Sequence, residues 1–228
     1  AHKHRMMAVA HVFYLEDARA LVEAGIDGLI HLIRDAVMDD KLIAAMKERG
    51  VFMAPNIGGT HRRTLSEVPP AAIDLLAESV PPDVVREVRR SVTELDPQAR
   101  SAARAMYGIM RQNVAKLNAA GITLVLGGDT GIPGAYHGWA EQYELEQMAD
   151  MGMTPAQVIV AATSASARAL RLDDVGTLAP GKSADFLVLD ANPLDNIVNT
   201  RRISSVYLRG QRLDRAALKA RWVGARTE

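Results

Sequence analysis

Short apolar runs alternate with amphipathic segments along the first 130 residues of the chain. Each run ends near a polar residue, an amphipathic stretch follows, and a glycine precedes the next run. Apolar runs separated by helical stretches are typical of buried parallel strands joined by crossover helices. We therefore predict an α/β fold, with a doubly wound sheet and a barrel both compatible with the pattern. The predicted strands are Met6–Val12, Gly28–Ile33, Val51–Pro55 and Ile122–Leu126.

The predicted helices carry recognisable end signals. Asp39 or Asp40 can cap a helix that runs to Arg49 and closes at Gly50. Thr154 followed by proline predicts the start of a later helix. The predicted helical segments are 15–24, 39–49, 98–119, 141–151 and 154–170.

Two regions depart from the alternating rhythm. Residues 60–96 hold two Pro-Pro pairs and many charges, and predict either a partly helical insertion that covers a functional site or a solvated excursion. After residue 172 the strands 184–189 and 203–209 follow each other without a crossover helix, which predicts a small antiparallel unit. We therefore divide the chain into a main domain, 1–172, and a C-terminal segment with a final helix, 173–228.

Composition narrows the classes of function. The 228 residues are 48% hydrophobic, with 27 basic and 27 acidic side chains, which argues against broad attraction to nucleic acid or an anionic membrane. No cysteine is present, so disulfides and thiolate metal ligands are excluded. The N-terminus lacks the organisation of a signal peptide, and a cytoplasmic location is weakly favoured.

Three polar side chains stand at comparable places in successive strand–helix units. His11 and His31 lie at or near the ends of the first two predicted strands, and Asp129 follows the fourth. The carboxyl ends of parallel strands line one face, so these groups are expected to converge there. Two imidazoles and a carboxylate are ligands that zinc prefers. Each residue also has a plain structural interpretation, as a packed histidine or a helix cap.

The glycines around Asp129 permit a different interpretation. Gly127, Gly128, Gly131 and Gly134 can allow close backbone approach to a ligand. Glycine-rich loops late in a barrel often bind phosphate through backbone N–H groups. An aspartate within this loop opposes phosphate binding, so the metal site is preferred.

Several motifs together resemble the amidohydrolase superfamily. They are His11 followed by Leu15-Glu-Asp-Ala, Asp27-Gly-Leu-Ile-His31, Gly127-Gly-Asp129-Thr, and the run from Gly176 to Leu189. The chain looks similar to the branch that includes imidazolonepropionase and the Xaa-Pro or Xaa-Arg dipeptidase-like enzymes. The resemblance implies the C-terminal half of a TIM (β/α)₈ barrel, with strands five to eight, plus part of a small β-sandwich.

The resemblance also implies roles for these positions. His11 and His31 correspond to the metal-binding histidines after barrel strands five and six. Asp129 corresponds to the aspartate after strand eight, which binds metal and transfers a proton. The expected cofactor is one or two divalent ions, with zinc the expected metal. The family's first His-x-His pair and its bridging lysine or glutamate are absent, and His2-Lys-His4 is not at the matching place.

The sequence therefore predicts a metal-dependent hydrolase of C–N bonds in a small molecule or dipeptide, with Asp129 as general base. The missing ligands favour, as alternatives, a non-catalytic assembly or binding module, or a phosphate-binding barrel. The expected partners are the substrate, an N-terminal segment of the same protein and a second copy of the chain; alone, the chain is expected to be inactive. The candidate substrate-binding residues are Arg34, Asn56, His61, Tyr136 and His137.

Overall fold

The first sheet contains the three predicted N-terminal strands in parallel. The computed structural model describes residues 1–224. The three strands pair in sequence order, with Val9 opposite Gly28 and Gly28 opposite Phe52. Each strand is shorter than its apolar run, because only three residues of each pair with a neighbour. The strands are β1 (Val9–His11), β2 (Gly28–Ile30) and β3 (Phe52–Ala54).

The predicted fourth strand is reduced to a single parallel bridge. Met53 donates its N–H to Thr123 O at 2.9 Å, and Val125 donates to Met53 O at 3.0 Å. The next amide, that of Leu126, donates instead to Ala161 O at 3.3 Å. The segment therefore leaves the sheet at Leu126, because the N–H of this residue bonds to a carbonyl of a later helical segment and not to a strand.

The crossover helices begin and end where the capping signals predict. Asp39 accepts a hydrogen bond from Leu42 N at 2.9 Å, and Gly50 closes the helix with φ 68°. Gly121 closes the long helix with φ 73°. Left-handed backbone at these two positions costs a glycine little. The helices are α1 (Leu15–Glu23), α2 (Asp40–Arg49) and α6 (Pro97–Ala120).

The predicted insertion folds into helices. They are α3 (Gly58–Thr64), α4 (Pro70–Ala77) and α5 (Pro82–Thr93). Apolar side chains of α4 and α5 pack around Trp139 and Tyr143 of a later helix, α7 (Trp139–Asp150), in a core separate from the one around the sheet. This second core attaches the insertion to the main body.

The predicted helix 154–170 contains a wider turn. It consists of α8 (Pro155–Val160), a π-helical segment (Ala161–Ala165) and α9 (Ser166–Ala169). Thr154 and Gln157 cap its start reciprocally. In the π-helical segment Ala161 O accepts from the Ser166 hydroxyl at 2.7 Å as well as from Leu126 N. The wider turn therefore connects this helix to the strand segment that precedes Asp129.

The C-terminal segment contains a separate antiparallel sheet of three strands that pair in sequence order. Phe186 and Tyr207 are paired across it and stack with ring centroids 4.4 Å apart. The described residues form a single layer here, so the β-sandwich stays a prediction. The elements are β4 (Phe186–Leu189), β5 (Ile203–Leu208), β6 (Gln211–Arg212) and a helix, α10 (Arg215–Gly224). Within residues 1–224, no helix has the length and apolar character needed to cross a membrane.

Candidate metal centre

The three predicted ligands meet at one rim of the parallel sheet. His11 ends β1, and His31 follows β2 directly. His31 Nε2 lies 2.9 Å from His11 Nδ1 and 4.0 Å from Asp129 Oδ1. The carboxyl ends of neighbouring parallel strands thus bring residues 118 positions apart in the chain into one cluster.

Left-handed backbone is concentrated at this rim. His31 has φ 70°, Asn56 has φ 50° and Asp129 has φ 51°. All three come shortly after sheet segments, at the points where the chain turns away. A non-glycine residue in this region costs of order 1 kcal/mol, and such residues cluster at functional sites.

His31 lies in an environment that favours the neutral imidazole. The residue is 9% exposed, and this burial lowers its pKa. The Asp129 charge acts in the opposite direction, while His11 and Arg34 lower the pKa further. Neutral imidazole is the form that binds metal ions.

The donor set fits a divalent metal but does not close a site alone. A zinc–nitrogen bond of about 2.0–2.1 Å allows two ligating nitrogens to lie about 3 Å apart, as the two histidines do. In the described part of the chain, however, no group of three His, Cys, Asp or Glu side chains has the spacing of a formed metal site. The Asp129 carboxylate lies farther from His31 than His11 does, with its Oδ1 4.0 Å from His31 Nε2.

A cavity of about 660 Å³ opens beside these ligands. Three of the predicted substrate-binding residues line it together with His11, His31 and Asp129: Arg34, Asn56 and Tyr136. Residues of α5, among them Val88 and Val92, also line this cavity. The insertion therefore forms part of the cavity that holds the candidate ligands.

The other two predicted substrate-binding residues lie elsewhere. His61 Nδ1 is 2.7 Å from the Tyr143 hydroxyl, and its ring packs near Tyr107 at 5.0 Å between centroids. Burial lowers the pKa of His61. His137 is exposed and does not line the cavity. His61 points away because α3 turns that face of the helix towards the tyrosines.

Asn56 makes its main contacts with the protein. With its nitrogen towards the two carbonyls, its amide donates to Gly127 O at 3.2 Å and to Ala54 O at 3.3 Å. A Cβ on Gly127 would lie 2.1 Å from this amide. Gly127 therefore lets Asn56 pack closely against the backbone. From the sequence, this glycine was instead predicted to let the backbone approach a ligand.

Glu144 of α7 is a buried carboxylate that the sequence did not single out. Its two oxygens accept from Ile57 N and Gly58 N, each at 2.7 Å, and the residue is 1% exposed. It thereby holds the turn that carries Asn56. In the sequence it is indistinguishable from the neighbouring acids Glu141 and Glu146, so no local signal could have found it.

The contribution of Glu144 to the free energy of unfolding is expected to fall as the pH rises from about 4.5 to about 7. Burial raises the pKa of Glu144 to about 7, although hydrogen bonds from Ile57 and Gly58 act against this shift. In this window the folded protein retains a proton that the unfolded chain, with a pKa near 4.5, has released. One such group contributes a slope of at most about 1.4 kcal/mol per pH unit.

Urea unfolding at several pH values, with Glu144→Gln beside the parent protein, measures this slope. The substitution should remove the Glu144 contribution, whereas Glu48→Gln on the exposed face of α2 should leave it. An identical slope in Glu144→Gln would show that another group is responsible.

The glycine loop gives little support to phosphate binding. Gly131 N donates to Ala135 O at 2.9 Å, and Ala135 N donates to Ile132 O at 3.0 Å. These two backbone N–H groups are therefore already hydrogen-bonded within the loop and are not free to bind phosphate. Glu141 accepts from the Thr130 hydroxyl beside Gly128, which adds negative charge there. The carboxylates of Asp129 and Glu141 therefore oppose a phosphate beside Gly128.

Comparisons with known proteins agree on the family. The model of the amidohydrolase family matches residues 1–213. Imidazolonepropionase from Rhodococcus jostii is 36% identical over 143 residues, which is 62% of this chain and 31% of that protein. Imidazolonepropionase from Mycolicibacterium smegmatis is 32% identical over 180 residues, or 78% and 40%. The chain thus spans well under half the length of these curated relatives.

Solved structures show the same fold. A protein described as a prolidase from Bifidobacterium longum superposes with TM-score 0.72 at 25% identity, covering 99% of this chain and 52% of that one. A Xaa-Pro dipeptidase with bound methionine superposes with TM-score 0.68 at 21% identity, covering 93% and 46%. These likenesses identify the parallel sheet and its helices as a portion of an α/β, TIM-barrel-like architecture. The chain belongs to the amidohydrolase family.

Proposed function

We propose that this chain carries part of the metal site of a hydrolase that cleaves C–N bonds, of amide or peptide type, in a small molecule or dipeptide. The observation that carries the proposal is the meeting of His11, His31 and Asp129 at one rim, with contacts of 2.9 and 4.0 Å. Membership of the amidohydrolase family supports it. Similar proteins include imidazolonepropionases and a Xaa-Pro dipeptidase.

The three residues divide the work between binding and proton transfer. His11 and His31 would hold a divalent ion, and imidazole and carboxylate donors suit zinc. Such an ion, when bound, lowers the pKa of water to about 7. The Asp129 side chain is 36% exposed and faces the cavity, so its carboxylate can accept a proton there. Asn56 and Glu144 keep the neighbouring turns in place.

A non-catalytic binding module is the second candidate function. It is favoured by the finding that the candidate ligands do not form a closed group within residues 1–224. The two candidates differ in metal content and in turnover of the complete protein. Hydrolysis of any amide that depends on Asp129 would exclude the module.

Removing His31 is expected to weaken metal binding by at least about 10-fold. Mutation of residues that only hydrogen-bond to a metal ligand already weakens binding by about this factor. His31→Asn is the suitable variant, since asparagine tolerates the left-handed backbone observed here. Elemental analysis after dialysis of the complete protein against limiting zinc measures the effect. His137→Asn serves as the control, because His137 is exposed and outside the cavity. Equal metal content in both variants would contradict the proposed site.

A further inference from the structure

The cavity beside the candidate metal centre is lined by an excess of positive charge. Three arginines line it, Arg34, Arg62 and Arg63, against two acids, Glu87 and Asp129. Asp129 lies on the histidine side, 4.0 Å from His31. The remainder of the cavity therefore has three guanidinium groups and one carboxylate, and would attract an anion.

Arg34 is the most unusual of these arginines. Its guanidinium lies 3.7 Å above the centre of the Phe13 ring, and its backbone N–H donates to Phe13 O at 3.1 Å. Stacking uses the face of the planar group and leaves its edge donors available. Burial lowers the pKa of Arg34, and the charge of Arg63 lowers it further, so the two cations lie within each other's field.

Arg62 and its neighbour Arg63 differ in their contacts and in their exposure. Arg62 donates to Gly134 O and lies 5.0 Å from the centre of the Trp139 ring, so it is engaged within the protein. Arg63 is exposed on the same helix, α3. Within the described residues, neither Arg34 nor Arg63 has a carboxylate at ion-pair distance, as the ion pairs found there involve other side chains.

Two other poorly exposed arginines of this chain have acidic partners. Arg19 lies 2.6 Å from Asp39, and Arg201 lies 2.5 Å from Glu146. Partial burial of the Arg34 cation without a counter-charge is unfavourable, and the charge of the nearby Arg63 adds repulsion. An anionic ligand between Arg34 and Arg63 would remove both costs.

We propose that Arg34 and Arg63 bind a carboxylate group of the substrate, so that the hydrolase acts on anionic small molecules. This inference rests on the function proposed above. A guanidinium edge matches the two oxygens of a carboxylate. The cavity volume of about 660 Å³ lies within the usual range of ligand pockets, roughly 300–1,000 Å³. A bound molecule can therefore present a carboxylate to the arginines and its C–N bond to Asp129.

The test compares dipeptides with their C-terminal carboxamides as substrates of the complete protein. The parent should prefer the carboxylate form. Arg34→Gln and Arg63→Gln should each reduce the ratio of kcat/KM for carboxylate over carboxamide by ~10- to 100-fold, mainly through KM, as expected for loss of a charged hydrogen bond. Arg89→Gln is the matched control, since Arg89 is exposed on α5 outside the cavity. Its ratio should equal that of the parent.

Equilibrium titration with N-acetyl-L-alanine, N-acetyl-L-alaninamide and inorganic phosphate separates this inference from the proposed function. Binding of the carboxylate that is lost in Arg34→Gln, without hydrolysis of any substrate, supports the anion site and contradicts the hydrolase. Turnover that is equal for charged and neutral substrates and insensitive to both arginines overturns the anion site and leaves the hydrolase in place. Binding of phosphate but of no carboxylate also overturns the inference.

Discussion

Replacement of Asp129 by asparagine is expected to lower the turnover of the complete protein on an amide substrate by about 10²-fold or more. A carboxylate that serves as general base contributes roughly this factor, and asparagine cannot accept the proton. Asparagine retains the size of the side chain and tolerates the left-handed backbone at this position, where φ is 51°. The loss should therefore be chemical, with kcat affected and the fold preserved.

Steady-state kinetics with circular dichroism spectra tests this expectation. Asp173→Asn is a matched control, because Asp173 is exposed and lies outside the cavity. An unchanged kcat in Asp129→Asn would remove Asp129 from the mechanism. The metal content of the variant shows in addition whether the carboxylate contributes to metal binding.

Truncation of Trp139 to alanine is expected to lower the free energy of unfolding by about 3–5 kcal/mol, as is usual for a large aromatic side chain in a core. Trp139 is fully buried, donates from Nε1 to Ala72 O at 2.8 Å, and stacks on Tyr143 with centroids 5.3 Å apart. It also lies under the Arg62 guanidinium. These contacts attach α4 and the cavity-lining helix α3 to α7.

Urea unfolding measures the loss, and limited proteolysis locates it. Cleavage in Trp139→Ala should concentrate within residues 58–96, since the second core is what holds this insertion. Tyr14→Ala removes an aromatic side chain that is 59% exposed and should change stability by no more than about 0.5 kcal/mol. A loss below about 1 kcal/mol in Trp139→Ala would show that the insertion is held by other contacts.

Secondary structure was predictable wherever a local signal exists. The caps at Asp39 and Thr154 and the closing glycine Gly50 lie where the sequence placed them, because a cap is a contact between near neighbours. Strand length was predicted less well. The run Ile122–Leu126 pairs at one bridge only, because Leu126 bonds to Ala161, a residue 35 positions away.

The residues of the candidate site were likewise predicted only in part. The parallel-strand pattern predicted that His11, His31 and Asp129 would converge, and the structure places them together. Arg62, Arg63 and Glu144 were missed, and His61 and His137 lie away from the cavity. Their surroundings depend on how α3 and α7 pack, which no spacing in the sequence reveals.

The sequence by itself determined the alternation of strands and helices, the rim on which the candidate ligands lie, and the family resemblance. The alternation and the rim follow from periodicity and from the polarity of parallel strands, and the resemblance follows from short motifs; all of these are local or repeated along the chain. Only the tertiary structure decided that the insertion lines the cavity, that Arg34 and Arg63 have no acidic partner among the described residues, and that Glu144 is buried against Ile57 and Gly58. Those outcomes depend on long-range packing, where burial and distance between remote side chains determine their charge and contacts.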